Sequence, residues 1–295
     1  MTHPVKGVDH LFLLASDLEG AAAAWRRLGF TLSPRGTHSV EKGTANYTII
    51  FGNDYFELLG IIADTPANQH QRDMIARDGQ GLRAIACRID DARAARAALA
   101  DLGIATGEVA EFSRPLPLPG GGQGEAAFAV AHFAPDEIPA GLIFMCQHKT
   151  PDMVWRPELR DHANGAAALA GIIAVTAEPE VMAARLARLF AAGYVRPAGP
   201  GAVTVATGVA SAPILCLTPA AAGARFDDGV AAATPASAYA GVQFAVRDLD
   251  VTRAALDAAG TPWRVSPGGI WVAPEHAAGT IVEFIPETRA DRGGA

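Results

Sequence analysis

Cysteine is scarce in this chain: the 295 residues hold three, Cys87, Cys146 and Cys216. Each sits in an apolar run, none belongs to a CxxC pair, and the number is odd. A disulfide framework or a cysteine-built zinc site is excluded on those grounds, and buried free thiols in a reducing compartment are expected. Long hydrophobic runs are also missing, since no uninterrupted stretch approaches the ~20 residues needed to cross a bilayer. Met1 to Lys6 lacks the charged start and apolar core of a signal peptide. The expectation is therefore a soluble, cytoplasmic protein with no membrane partner. Basic residues are in deficit, 24 Lys and Arg against 31 Asp and Glu for a net charge of −7. A surface of that sign repels phosphate backbones and argues against nucleic acid as a partner. With half of its residues hydrophobic, the chain is long enough for two packed domains.

What the chain does have is a repeated unit. Val8 to Ala15 is apolar, Ser16-Asp17 is a natural helix N-cap, and Leu18 to Leu28 reads as an amphipathic helix. Gly29 then supplies the left-handed residue that closes a helix without a Cβ clash. The same order returns in Leu82 to Ile89, Asp90-Asp91 and a helix ending at Leu102-Gly103. It returns again in Gly171 to Thr176, Glu178-Pro179 and a helix ending at Ala192-Gly193. The fourth copy is Gly241 to Val246, Asp248 and a helix ending at Ala259-Gly260. From capping acid to closing glycine the count is 12 in Asp17–Gly29, Asp91–Gly103 and Asp248–Gly260. Such regularity marks one supersecondary unit copied along the chain.

Short β-type runs follow each helix. In the first copy they are Phe30 to Leu32, Tyr47 to Phe51 and Tyr55 to Ile62, with Gly52-Asn53-Asp54 as a hairpin turn. The second carries a proline- and glycine-rich excursion, Ser113 to Gly124, with Gly120-Gly121-Gly122 as a flexible tip, before Ala127 to Phe133 and Leu142 to Gln147. The fourth closes with Gly269 to Ala273 and Thr280 to Ile285. The third is degraded, with Val203 to Ala206 and Pro213 to Leu217 in the matching places.

A strand–helix–three-strand unit has one apolar sheet face that it cannot bury alone, so the units must pair. The fold expected is α+β: four βαβββ modules paired into two half-open mixed-sheet barrels with helices on the outside. Adjacent pairing gives one domain over 1–149 and a second, degenerate one over 169–288. Residues 150–168 form a linker helix and turn, with Thr150 as cap, Pro151 at the first helical position and Asn164-Gly165 as the break. Residues 289–295 form a disordered tail. The other arrangement, copy one against copy four, would bring His10, Glu57 and Glu283 together.

Val8-Asp9-His10 opening the first strand, Gly29, and Tyr55-Phe56-Glu57 resemble the pattern of the vicinal oxygen chelate superfamily, which includes glyoxalases, bleomycin-resistance proteins and extradiol dioxygenases. Arg35-Gly36-Thr37-His38, Gly43-Thr44-Ala45-Asn46, Ser113-Arg114-Pro115 and Cys146-Gln147-His148 are similar to its glyoxalase-like subgroup. The resemblance is strong over residues 7–165 and weaker beyond. It implies a cavity between paired modules holding a divalent metal (Zn, Ni, Mn or Fe), with ligands from the first and last strands. His10 takes the first-strand place, 19 residues before Gly29. The same count reaches Ala84, Ala174 and Gly241 in the other copies, none of which binds a metal. Glu57 takes the last-strand place, with Met145 and Glu283 as its counterparts.

Two ligands make a poor metal site, since catalytic divalent sites usually need about three plus water. The third is sought in His148, Gln147 or His38. Strand alternation puts Gln147 on the face of Met145 and His148 on the opposite one. Two readings stand beside the metal: His10 as a hydrogen-bonded core histidine, or His10 with Glu57 as a metal-free acid–base dyad. A carboxylate inside Tyr55-Phe56-Glu57-Leu58-Leu59 is costly to bury without a partner. Glu283 reads as structural. Arg114, before Pro115-Leu116-Pro117, is placed over the cavity for an anionic substrate, whereas Arg83 reads as an outward-facing strand charge. Trp155 and Trp263 read as packing residues. The site expected is thus His10 and Glu57 as catalytic residues, His148 as a further metal ligand, and His38, Asn46, Arg114, Met145 and Gln147 around the substrate. The function expected is a small-molecule enzyme, a lyase, isomerase or dioxygenase, acting as monomer or homodimer. The rival is a metal-free protein that binds or sequesters its ligand.

Overall fold

Local chemistry starts each module as the sequence dictates. In the computed structural model, which describes residues 2–118 and 121–287, β1 (Gly7–Ala15) is buried along its whole length. The Asp17 carboxylate accepts from Gly20 N at 3.0 Å and caps α1 (Leu18–Arg27), and Gly29 follows at φ +88°. The remaining strands of the first module are β2 (Gly36–Thr37), β3 (Thr44–Ile50) and β4 (Tyr55–Ile61). A helix, α2 (Gln69–Asp78), leads to the second module: β5 (Gly81–Arg88), α3 (Ala92–Asp101), β6 (Ala110–Pro117), β7 (Gln123–His132) and β8 (Leu142–His148).

The third module holds β9 (Ala166–Val175), α4 (Pro179–Ala187), β10 (Tyr194–Pro197), β11 (Ala202–Ala206) and β12 (Ile214–Leu217). Helices α5 (Pro219–Arg225) and α6 (Asp228–Ala233) connect it to the fourth: β13 (Gly241–Val246), α7 (Leu249–Ala258), β14 (Arg264–Ser266), β15 (Gly269–Val272) and β16 (Ile281–Pro286). Asp91 and Asp248 cap α3 and α7 through their side chains as Asp17 caps α1. In the degraded third module Glu178 makes no side-chain cap bond, and α4 ends at Ala187, short of the expected Ala192.

Two eight-stranded mixed sheets result, ordered β2-β3-β4-β1-β5-β8-β7-β6 and β10-β11-β12-β9-β13-β16-β15-β14. Within a module the first and last strands run parallel, and the antiparallel pairs β1–β5 and β9–β13 join the modules. Modules therefore pair one with two and three with four, which removes the pairing of one with four. Helices α1, α3, α4 and α7 lie on the convex faces and share one apolar core between the halves. Trp25 stacks on Phe56 with centroids 4.4 Å apart and meets Phe244 edge-on at 6.0 Å, while Phe30 lies 4.8 Å from Phe244. Truncating a ring such as Trp25 or Phe244, each fully buried, would cost about 3–5 kcal/mol.

Several expected segments are redrawn. Phe30 to Leu32 joins no ladder, and the second strand is Gly36–Thr37. The excursion Ser113 to Gly124 is mostly a hairpin, with β6 paired along β7. Its prolines are tolerated because β6 is an edge strand, where a missing N–H breaks no ladder on the outer side. The linker forms two short 3₁₀ turns, Pro151–Met153 and Pro157–Leu159, in place of an α-helix, and β9 already begins at Ala166. Pro157 has no N–H to continue a helix from Pro151. The tail expected over 289–295, and Gly120 of the loop tip, lie outside the described residues.

Candidate active site

Strand alternation on the concave face of the first sheet builds a cavity of about 360 Å³. The residues that line it recur with period two: His10 and Phe12 of β1; Thr44, Asn46 and Thr48 of β3; Tyr55, Glu57 and Leu59 of β4; Leu142, Phe144 and Cys146 of β8. Phe112 and Arg114 of β6, Phe128 and Val130 of β7, and His38 and Lys42 from the 38–43 loop close it over.

Glu57 and His10 meet on this wall. One Glu57 oxygen accepts from Asn46 Nδ2 at 2.6 Å, and the other lies 3.9 Å from His10 Nε2, too far for a hydrogen bond. Both residues are buried, and Tyr55 stacks on the His10 ring at 4.1 Å. Asn46 must present its NH₂ to the carboxylate, which leaves its Oδ1 buried and without a partner among the described residues. His38 donates or accepts at Thr44 Oγ1 (2.8 Å), and burial, against the opposing pull of Glu57, pushes its pKa down to about 4. It is neutral at physiological pH.

The residue that sequence reasoning missed here is Asp9. Simple alternation would turn it away from His10, but the β1–β5 register shifts between Val8 and His10. At this bulge Asp9 Oδ1 reaches both His10 Nδ1 and His148 Nε2, each at 2.8 Å. Arg88 Nε stands 3.5 Å from the other oxygen. Burial alone would raise the Asp9 pKa, yet the hydrogen bonds and charge of the two histidines outweigh it and hold the group well below the usual carboxylate range. The available signal was the argument already applied to Glu57: an acid inside an apolar strand needs a partner. Lys42 was missed as well. Its ammonium sits 3.0 Å from the Phe112 ring centroid, and burial, offset in part by Glu57, lowers its pKa to about 8.

Three expectations are corrected. Met145 is fully buried in the convex-face core, and Gln147, also on that face, accepts from Ala92 N at 3.0 Å, at the start of α3. Neither lines the cavity. The reason is register: β1 pairs Phe12 with Glu57, whereas β5 pairs Ala86 with Phe144, so Phe144 and not Met145 is the counterpart of Glu57. His148 does share the concave face, but it packs behind His10 against Trp155, at 4.5 Å, and reaches Asp9 rather than Glu57. Arg83 is buried, not outward-facing, and donates to Asp78 O and Gly79 O at the end of α2. Arg114, His38 and Asn46 do line the cavity, as expected.

Four donors converge within 4.8 Å of one another: Asp9, His10, Cys146 and His148. They are the group that could hold a metal by distance, and Glu57 is not among them. Their spacing fits protons better than an ion. Donors around an ion bound at ~2.0–2.3 Å stand farther apart than the 2.8 Å of the two Asp9–histidine contacts. Of the four ligand places that the family resemblance implies, His10 and Glu57 remain, because Ala84 and Phe144 fill the matching places of module two. As placed, Asp9, His10 and His148 are joined by hydrogen bonds rather than spaced around an ion.

The second half keeps the frame without the site. β13 pairs Gln243 with Glu283, the position that Glu57 occupies, while Gly241 stands where His10 does. The fully buried Glu283 accepts from Arg225 at 2.8 Å, Gln243 Nε2 at 2.7 Å and Ser266 Oγ at 2.5 Å. Arg225 comes from α5, which packs with Phe226 and Trp271 into the concave face.

Paired βαβββ modules around such a wall define a protein of the vicinal oxygen chelate superfamily. A sequence profile of the glyoxalase-like domain matches residues 8–190, and the chain belongs to that family. No curated protein matches its sequence. Among solved structures, a hypothetical protein from Staphylococcus aureus aligns with TM-score 0.67 and 11% identity, covering 95% of this chain and 99% of the other. A mutant of 4-hydroxymandelate synthase from Streptomyces coelicolor aligns at 0.62 and 12%, over 99% and 95%. The Mn(II)-bound glyoxalase from Novosphingobium aromaticivorans aligns at 0.54 and 16%, over 96% and 83%. At such identities the likeness is one of fold.

Proposed function

We propose that the chain is a small-molecule enzyme that moves a proton in the cavity of its first half, in the manner of an isomerase or lyase. The observation that carries this reading is the approach of Glu57 and His10 Nε2, 3.9 Å apart, on one wall of the cavity. Glu57 takes the proton from a carbon beside a carbonyl, and the electron pair moves to the carbonyl oxygen. His10 meets that oxygen: with Nδ1 committed to Asp9, Nε2 is the nitrogen that gives or receives a proton. Asn46 holds the carboxylate in place. Of the four ligand places that the family resemblance implies, this wall keeps two, His10 and Glu57, which favours proton transfer over oxygen-activating chemistry.

The test is deuterium uptake from D₂O into a panel of small carbonyl compounds, followed by NMR. Exchange by the wild type, lost in Glu57→Gln and His10→Ala with melting temperatures near wild type, supports the reading. Absence of exchange across the panel, or unfolding of both variants, overturns it. The replacement of family ligand positions by Ala84 and Phe144 favours a second reading, a metal-free sequestering protein. That alternative predicts sub-micromolar binding with no turnover, untouched by Glu57→Gln.

A further inference from the structure

The charges around the cavity are unequal in their partners. Glu108 is paired with Arg96, and Glu111 with Lys149 and with Arg93, so the two carboxylates of the lining outside Glu57 are already neutralised from outside. Lys42 and Arg114 are not: neither has an ion-pair partner within 4.0 Å among the described residues. Each is only part-exposed, so neither is fully compensated by water. His38 is neutral, which leaves two cations against the single charge of Glu57.

The inner wall brings one of these cations close to the Glu57 site. Gly36 lies beneath both Arg114 and Asn46: a β-carbon there would stand 2.4 Å from Asn46 Oδ1 and 2.5 Å from Arg114 Nη1. The missing side chain is what admits both groups, and it sets the Arg114 guanidinium beside Asn46, the residue that holds Glu57. Beyond these polar groups the walls are apolar, with Phe112, Phe128, Leu142 and Phe144.

We infer that the ligand of this cavity is a carboxylic acid of single negative charge with an apolar, ring-sized body, its carboxylate taken by Arg114 and Lys42 and its body laid against the phenylalanines. One monoanion balances the surplus charge, whereas a neutral ligand would leave one part-buried positive charge in excess of Glu57. The guanidinium offers a two-pronged fork to a carboxylate, and the ammonium a point charge beside it. A carboxylate held there stands next to Asn46, hence next to the Glu57 it positions. The inference rests on the proposed function for the choice of cavity but not for any catalytic step.

Isothermal titration of the full chain with 4-phenylbutyrate and with its primary amide, 4-phenylbutyramide, tests it. The acid is expected to bind at least tenfold more tightly than the amide. Arg114→Gln and Lys42→Gln should each weaken the acid about tenfold or more while changing the amide little. Equal affinity for acid and amide, acid binding indifferent to both substitutions, or no binding of the acid at millimolar concentration overturns the inference. Glu57→Gln separates the two proposals: it should bind the acid as well as or better than wild type, since a like charge is removed, while losing proton exchange. Acid binding by a wild type that exchanges no proton would end the catalytic reading and leave this one standing.

Discussion

Asp9 accepts a hydrogen bond from Nδ1 of its own neighbour, His10, at 2.8 Å, and so decides which nitrogen of that ring the cavity meets. A bulged strand makes the contact, and His148 shares the same carboxylate oxygen.

Asp9→Asn should therefore cost more than stability. The amide can turn its NH₂ towards Nδ1 and favour the other tautomer, a change that lowered rate about 10⁴-fold in a well-studied histidine–aspartate pair. We expect a fall on the order of 10²-fold or more here. ¹⁵N chemical shifts of the His10 ring should show Nδ1 no longer uniformly protonated. An unchanged tautomer with lost activity would assign Asp9 a purely structural part. The depressed Asp9 pKa also fixes a sign: its contribution to stability is present above the ordinary carboxylate range and is lost as pH falls towards the folded-state value.

Glu57 and Glu283 hold equivalent registers, yet should respond oppositely. Glu283→Ala leaves Arg225 without its buried partner, and breaking such a pair costs about 3–5 kcal/mol. Glu57→Gln keeps an acceptor for Asn46 and should shift the melting temperature by no more than a few degrees. Denaturant unfolding of the two variants side by side checks this.

Asp54 supplies a pH dependence of the other sign. It is buried at the junction of the halves, where it accepts from Leu169 N at 3.2 Å, and burial raises its pKa to about 7. Between the ordinary carboxylate range and about pH 7 the folded protein keeps a proton that the unfolded chain has released, so stability declines as pH rises through that window. Asp54→Asn still accepts from Leu169 and should flatten the decline. It should exceed wild type by about 1–3 kcal/mol at pH 8 and match it near pH 4.

Metal content is predicted to be low. Protein purified without chelator should carry less than about 0.1 equivalent of Mn, Fe, Ni, Co or Zn, and chelation should leave the melting temperature unchanged. A stoichiometric ion restored on reconstitution would show that the four donors around Asp9 open to admit one.

The sequence by itself determined the modules, because capping acids, closing glycines and apolar periodicity act within a few residues of one another. It also singled out His10 and Glu57, since polar residues set into buried strands need partners, and the two line one wall. Only the tertiary structure decided the rest. The phase of β8 against β5 sent Met145 and Gln147 to the helix side, and the bulge in β1 turned Asp9 towards the histidines. The arrival of Arg225 from α5 filled the second wall and left the first open. Register, bulges and contacts between distant elements depend on which strand lies alongside, and no local pattern carries that information.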